Sequence, residues 1–274
     1  MAAPVAIDDP GDPRLAPYAA MRERDLVGRR GRFVAEGEVV LRVLLSGRSR
    51  FGIESVLVSP ERLPGLAPAL EGLAAPVYVA PRAVMGAVAG FPIHRGVLGI
   101  GIRGADPDPD ALVPPGPALL LGLVGLANHD NVGGLFRNAA AFGADAVLLD
   151  GATCDPLYRK AIRVSAGTCL TVPFGRAATG AALLDLCARH ALAPVALTPG
   201  GDDIASLPPL PRALLLLGSE GTGLPEALMA RARRVGIPMA PGVDSLNVAA
   251  AGAVALHRLA GARLSGGPAR PSAS

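Results

Sequence analysis

Tryptophan is absent and aromatic residues make up only 3% of the 274 positions. Ring stacking therefore cannot organise the interior, and alanine, valine and leucine must fill it. Lysine is almost absent too: Lys160 is the sole one, so the net charge of +3 is carried by arginine. Arginine's planar fork suits phosphate recognition, although arginine in place of lysine is equally what the codon use of a GC-rich genome produces. The charge permits a nucleic-acid partner without establishing one. The three cysteines, Cys154, Cys169 and Cys187, form no C-x-x-C pair, which argues against a disulfide scaffold and fits a reducing cytoplasm. The four histidines (His94, His129, His190, His257) are scattered without ligand spacing, so no metal site is expected. Residues Met1 to Arg14 carry acids and prolines where a signal peptide needs a basic start and an apolar stretch, and a cytoplasmic location is expected. The apolar run Val248 to Leu256 is about half the length that crosses a bilayer and reads as a buried helix contributing to a subunit interface.

Half of the residues are hydrophobic, enough for two modest domains. The break falls at ADPDPDALVPPGP, residues 105–117, where proline and aspartate alternate without periodicity. This predicts a first domain over 1–104, a linker over 105–117, a second domain over 118–264 and a disordered Gly/Pro/Ser tail over 265–274. Both domains read as α/β. In the first, strands are expected at Arg32–Ala35, Ile53–Ser59, Pro76–Ala80 and Gly96–Arg103, with helices at Glu38–Leu45, Pro60–Leu70 and Pro81–Val88. In the second, apolar strands at Leu119–Val124, Ala146–Leu149, Leu170–Pro173, Pro194–Leu197, Ala213–Leu217 and Val235–Pro238 alternate with helices after Gly133 and around Pro156–Ile162, Ala178–His190, Pro225–Arg234 and Leu246–Ala260. Continuous apolar strands between helices mean a parallel sheet covered on both faces.

Three segments of the second half put glycine, carboxamide or carboxylate groups where a chain leaves a strand for a helix, which is where open parallel sheets bind ligands. The first is Asn131-Val-Gly-Gly-Leu-Phe-Arg137, in which Gly133 and Gly134 are expected to open a helix. The second, Leu217-Gly-Ser-Glu-Gly-Thr-Gly223, reads G-x-x-G-x-G, the reverse of a dinucleotide fingerprint, and no Gly-Lys-Ser/Thr follows for a phosphate loop. Glu220 within it has no basic neighbour in sequence and is a site candidate rather than a surface acid. The third, Ile237-Pro-Met-Ala-Pro-Gly-Val-Asp-Ser-Leu-Asn247, delivers Ser245, Leu246 and Asn247 to a helix that Ser245 is placed to cap.

Together and in this order the three segments resemble the signature motifs of the SpoU (TrmH-like) RNA 2′-O-methyltransferases of the SPOUT superfamily. One departure is His129-Asp130, where many relatives have proline. The pattern Arg32-Phe-Val-Ala-Glu-Gly37 and the step His94-Arg95-Gly96 look similar to that family's substrate-binding domain, which has a ribosomal-protein-like fold. The resemblance implies a deep trefoil knot in the C-terminal domain, a homodimer, and S-adenosylmethionine as methyl donor held by Thr198, Gly200, Gly218, Ile237, Met239, Ser245 and Leu246. It further implies methyl transfer to a ribose 2′-OH of structured RNA, ribosomal more than transfer RNA, with Arg137, Asn131, Glu220 and Asn247 as catalytic residues. Family accounts cast the arginine as general base; a guanidinium with a pKa above ~12 suits instead the stabilisation of a developing alkoxide and the clamping of a phosphate. Arg32, Arg159, Lys160 and Arg163 are the candidate RNA contacts, although a solvated helix face explains the last three equally. The rival classes are a nucleotide-dependent oxidoreductase and a non-catalytic RNA-binding module.

Overall fold

The computed structural model describes residues 3–19 and 31–264; the expected tail over 265–274 lies outside the described residues. In chain order the strands are β1 (Val5–Ala6), β2 (Arg32–Glu36), β3 (Gly52–Val58), β4 (Val77–Val79), β5 (Val97–Ile102), β6 (Ala118–Leu123), β7 (Ala146–Leu149), β8 (Phe174–Arg176), β9 (Ala193–Asp203), β10 (Arg212–Leu217) and β11 (Arg233–Gly236). The α-helices are α1 (Glu38–Leu45), α2 (Leu63–Leu70), α3 (Arg82–Ala89), α4 (His129–Phe142), α5 (Arg159–Val164), α6 (Gly180–Arg189), α7 (Glu226–Met229) and α8 (Val248–Leu264).

Contacts divide the chain into two compact units, one of Met1–Ala105 with Asp155–Thr171, the other of Asp106–Cys154 with Val172–Ser274. The first unit holds a mixed sheet in the order β1-β4-β3-β5-β2. Strand β5 carries Gly101 where a Cβ would lie 2.1 Å from the Phe33 ring, so the missing side chain lets a buried phenylalanine lie flat on the sheet. Tyr18 is wholly buried and shares a 2.8 Å hydrogen bond with Ser55; burial drives its hydroxyl well above the usual phenol range. The segment 155–171, which the sequence suggests is continuous with the second domain, belongs to this unit. Within it Asp155 pairs with Arg103, Arg159 lies 3.3 Å from Glu36 and 4.2 Å over the Phe91 ring, and the Arg50 amide donates to the Leu170 carbonyl at 3.0 Å.

The second unit is a six-stranded sheet in the order β11-β9-β10-β6-β7-β8, with every recorded pairing parallel. Its strands are buried apolar runs such as Ala118–Leu123 and Ala213–Leu217, as a sheet covered on two faces requires. From β6 the chain winds outward through β7 and β8, then returns to build β9, β10 and β11 on the other side. The order therefore reverses between β6 and β10, and the crevice past their carboxyl ends is where a ligand site is expected.

Several local expectations are corrected. The strand foreseen at Leu170–Pro173 is a 3-10 turn at Thr168–Leu170, and β8 starts at Phe174; Pro173 has no N–H to give a ladder. The helix foreseen over Pro225–Arg234 is one turn, Glu226–Met229, because Arg233 and Arg234 pair with Val195 and Ala196 instead. Residues 109–112 form a 3-10 turn in the presumed linker, held by Asp110 against Arg189 at 2.7 Å and His190 at 2.7 Å. Strand β1 and the 3-10 helix Pro13–Tyr18 were not legible in the sequence.

Candidate functional site

The first motif follows β6. Helix α4 begins at His129, where the Asn128 side chain accepts a 2.9 Å hydrogen bond from the Asp130 amide and so satisfies one of the free N–H groups of the first turn. Gly133 and Gly134 thus lie inside the helix and do not open it. The use of Gly134 is close approach: a Cβ on it would sit 3.0 Å from that of Ala249, and one on Gly252 would sit 2.5 Å from Leu135. Helices α4 and α8 cross on these small residues, and the Asn138 amide fastens the crossing by donating to the Ala249 carbonyl at 2.7 Å.

The crossing brings the three motifs together. Asn131 is buried, at 5% exposure. Its carboxamide donates to Glu220 Oε1, 89 residues away in sequence, and accepts from Asn247 Nδ2 at 2.9 Å, 116 residues away. The same Asn247 nitrogen reaches Glu220 Oε1 at 3.2 Å. Asn247 Oδ1 meanwhile caps α8, accepting from the amides of Ala249 at 2.9 Å and Ala250 at 3.3 Å. The cap is therefore Asn247 and not Ser245; one carboxamide starts the helix with its oxygen and ties the site with its nitrogen. Glu220 sits in a tight loop closed by Gly223 N donating to Ser219 O at 3.0 Å and by a 2.8 Å contact between the Ser219 and Thr222 hydroxyls. Gly218 is needed there, since a Cβ would lie 2.3 Å from the Gly223 carbonyl carbon and 2.4 Å from Leu224 N.

Beside this cluster lies a cleft of about 650 Å³. Thr198, Gly218, Ile237, Met239, Ser245 and Leu246 line it, as do Glu220 and Asn247; Gly200 does not. Leu197, Pro199, Leu217 and Met229 add apolar wall that motif reading did not single out. Neither Asn131 nor Arg137 lines it. Arg137 is exposed and makes no hydrogen bond or ion pair with any described residue. Six residues beyond Asn131 is about 240° round the helix, so the two side chains leave different faces of α4. In the first unit Arg32 pairs with Glu54 and Arg159 with Glu36, while Lys160 and Arg163 are exposed on α5. Among the described residues no group of His, Cys, Asp and Glu is arranged to hold a metal ion.

One supporting residue escaped sequence reading. Asp150, at the end of β7 and 6% exposed, accepts from the amides of Gly125 at 3.1 Å, Ala152 at 3.2 Å and Thr153 at 2.8 Å, and from the Thr153 hydroxyl at 2.7 Å. It pins the loop that leads from β6 into α4. Its available signal was a carboxylate before glycine at the end of an apolar strand.

The second unit is thus an all-parallel α/β fold with its polar cluster at the reversal of strand order. Residues 118–257 match the model of the SpoU rRNA Methylase family, and the chain belongs to that family. It is 39% identical over 261 residues to an uncharacterized tRNA/rRNA methyltransferase of Mycobacterium tuberculosis strain H37Rv, covering 91% of this chain and 89% of that protein. Its fold is shared by the rRNA methyltransferase of Sinorhizobium meliloti solved with AdoMet bound, with a TM-score of 0.79, 23% identity, and coverage of 94% of this chain and 98% of that one. The crystal structure of an RNA 2′-O ribose methyltransferase matches with a TM-score of 0.76 and 28% identity over 95% of this chain and 100% of that one.

Proposed function

We propose that this protein transfers a methyl group from S-adenosylmethionine to a ribose 2′-OH of structured RNA, ribosomal rather than transfer RNA. The observation that carries the reading is the joining of Asn131, Glu220 and Asn247, one from each motif, at the rim of a single cleft. The cleft's chemistry fits the donor: apolar walls from Leu197, Leu217, Ile237 and Leu246 suit a purine, and the glycine loop at Gly218 lets backbone groups come close to it. Bound donor supplies an electrophilic methyl group on a sulfonium. Ile237, Leu246 and Gly218 would hold it mainly through backbone, with Thr198, Met239 and Ser245 beside it.

A knotted strand arrangement is part of this reading. The β9–β11 register jumps from Arg234↔Ala196 to Val235↔Asp202, so Leu197 to Gly201 make an excursion from the ladder. A Cβ on Gly201 would lie 2.5 Å from the Val235 carbonyl carbon, and one on Gly236 would lie 3.0 Å from Gly201 O. Two glycines thus permit backbone to cross backbone, as a threaded loop needs. A homodimer is also proposed, for which Val243 and Val254, 49% and 43% exposed, offer apolar surface.

Arg137, exposed and without an ion pair to any described residue, clamps the phosphate next to the target and stabilises charge growing on the 2′-oxygen. Arg137→Ala should abolish transfer in a radiolabelled methyl assay while leaving donor affinity within a few-fold. An RNA with a single 2′-deoxy residue at the target should bind and accept no methyl group; methyl found on a base of that RNA by mass spectrometry would remove the ribose assignment.

A further inference from the structure

Arg137 has no ion pair with any described residue, so its place is set by where helix α4 carries it. The crossing with α8 at Gly134 and Asn138 fixes that helix near its middle. Asn131 and Arg137 lie on opposite sides of Gly134 in the chain, each about 4.5 Å along the axis at ~1.5 Å per residue. A rock of about 10° on the crossing moves the two by about 0.8 Å in opposite senses. Misplacement by about 1 Å can cost roughly 10²-fold in rate. The helix therefore needs a second fixed point, and the chain that enters it, residues 124–128 between β6 and α4, is where that point can act.

A buried polar clasp holds this entry. Asp150 and Thr153, 6% and 4% exposed, follow β7. Asp150 Oδ1 accepts from the Gly125 amide at 3.1 Å, and Thr153 Oγ1 accepts from the Leu126 amide at 3.3 Å. The Leu126 carbonyl accepts from the Cys154 amide at 2.8 Å. Both residues are thus fixed just before Asn128 caps α4. The clasp is itself braced. The same Oδ1 takes the Ala152 and Thr153 amides and the Thr153 hydroxyl, and Arg176 donates to the Asp150 and Thr153 carbonyls at 2.8 and 2.9 Å. Several donors converging on one oxygen are what a carboxylate holds better than a neutral acceptor. None of these residues lines the donor cleft.

We infer that Asp150 is a positioning residue for methyl transfer: through residues 124–128 it sets the direction in which α4 enters the site, and with it the mutual placement of Asn131 and Arg137. This rests on the ribose methyltransferase reading above, which gives Arg137 its work. Two consequences separate positioning from mere support of the fold. The donor cleft draws its lining from other loops, so loosening the clasp slows transfer and leaves donor binding alone. The bonds that aim the loop need an acceptor at Oδ1, so a side chain that keeps that oxygen restores most of the rate.

The test compares Asp150→Ala, Asp150→Asn and Arg176→Ala in single-turnover methyl transfer at saturating RNA and S-adenosylmethionine. Each rate is divided by the fraction of protein that binds donor in calorimetry, so that unfolded protein does not count as slow protein. Alanine removes the acceptor, asparagine keeps an oxygen in its place, and Arg176→Ala loosens the loop without touching the carboxylate. The rate per bound donor should fall roughly 30–300-fold for Asp150→Ala and about three- to tenfold for the other two, while donor affinity stays within about threefold in all three. Should Asp150→Ala not fold, the other two decide by the same measure. The assignment is overturned by rates per bound donor equal to the parent's, or by a rate loss matched by an equal loss of donor affinity. It is also overturned if Asp150→Asn is as slow as Asp150→Ala, since the aimed oxygen would then not be what matters. Mass spectrometry of the parent's product separates these failures from a failure of the reading beneath them. A ribose methyl with a fully active Asp150→Ala removes the positioning role alone, whereas a base methyl removes the ribose reading itself.

Discussion

Asn247 does two jobs with the two ends of one carboxamide, and two substitutions separate them. Asn247→Asp keeps the oxygen that caps α8, a position where aspartate and asparagine are about equally good. It replaces the nitrogen that lies 3.2 Å from Glu220 Oε1 by a second carboxylate oxygen. Two unit charges at that separation repel by ~1.3 kcal/mol at the dielectric of water and ~5 kcal/mol at an effective dielectric of 20. Since Glu220 and Asn247 are both exposed, the lower end applies to stability, and the repulsion turns the Glu220 carboxylate away from its place. Asn247→Ala removes the cap, at about 1 kcal/mol, and introduces no charge. Both substitutions leave the buried Asn131 Oδ1 without its 2.9 Å donor, at about 1–3 kcal/mol. The two variants should therefore separate by activity and not by stability. By urea unfolding they should lie within about 1 kcal/mol of each other, because the lost cap of one offsets the repulsion in the other. By methyl transfer Asn247→Asp should be the less active, falling roughly 10–100-fold further, with partial recovery at high salt as the like charges are screened. Equal activities of the two variants would show that the division of labour within Asn247 is wrong.

Other outcomes follow from single positions. Gly218→Ala puts a Cβ into the backbone of Gly223 and Leu224; the loop must shift, at about 1–3 kcal/mol of stability, and calorimetry should show S-adenosylmethionine affinity reduced by more than tenfold. Hydrogen bonds from Arg189 and then His190 hold Asp110 below the usual carboxylate range. A depressed carboxylate contributes stability above its unfolded pKa of ~3.9 and loses it as pH falls through the folded value, so Asp110→Asn should cost stability at neutral pH, cost little below the folded value, and so reduce the acid-side slope of unfolding. Removing residues 1–105 leaves Asp155–Thr171 without the rest of its unit. Ala161, Ile162, Cys169 and Leu170, each at most 1% exposed, then lose partners, and burial of one such Ile or Leu is worth about 1.5–3 kcal/mol. That fragment should aggregate by light scattering, and replacing 155–171 by a short Gly/Ser loop should recover soluble protein; equal solubility of both fragments would show that the segment needs no partner.

The alternation of apolar strands and helices placed most elements of both units because burial on two faces leaves its mark in sequence as continuous apolar runs. Glu220 and Asn247 stood out for a different reason: polar groups beside glycine at a strand end have little structural use except at a site. What sequence could not supply were the properties that depend on a distant partner. Gly133 and Gly134 look like helix openers locally, and only the packing of Ala249 against Gly134 shows why glycine sits mid-helix. Ser245 and Asn247 are both good caps by type; the choice falls to Asn247 because the Ala249 and Ala250 amides turn to it. Two of the arginines read as candidate RNA contacts also pair with an acid from a remote strand, Arg32 with Glu54 and Arg159 with Glu36, which no local pattern shows.

Topology explains why the motifs meet although they are so far apart in the chain. Because β6 and β10 are neighbours on which the winding reverses, the loops after them, carrying Asn131 and Glu220, must open on the same crevice whatever their side chains. The third motif has no such guarantee, since β11 is an edge strand with β9 between it and β10. Asn247 arrives only because α8 packs on α4 through Gly134, Asn138 and Gly252. The sheet thus sets two corners of the cluster and one helix crossing sets the third. Enlarging Gly134 or Gly252 should therefore disturb Asn247 before it disturbs Asn131 or Glu220.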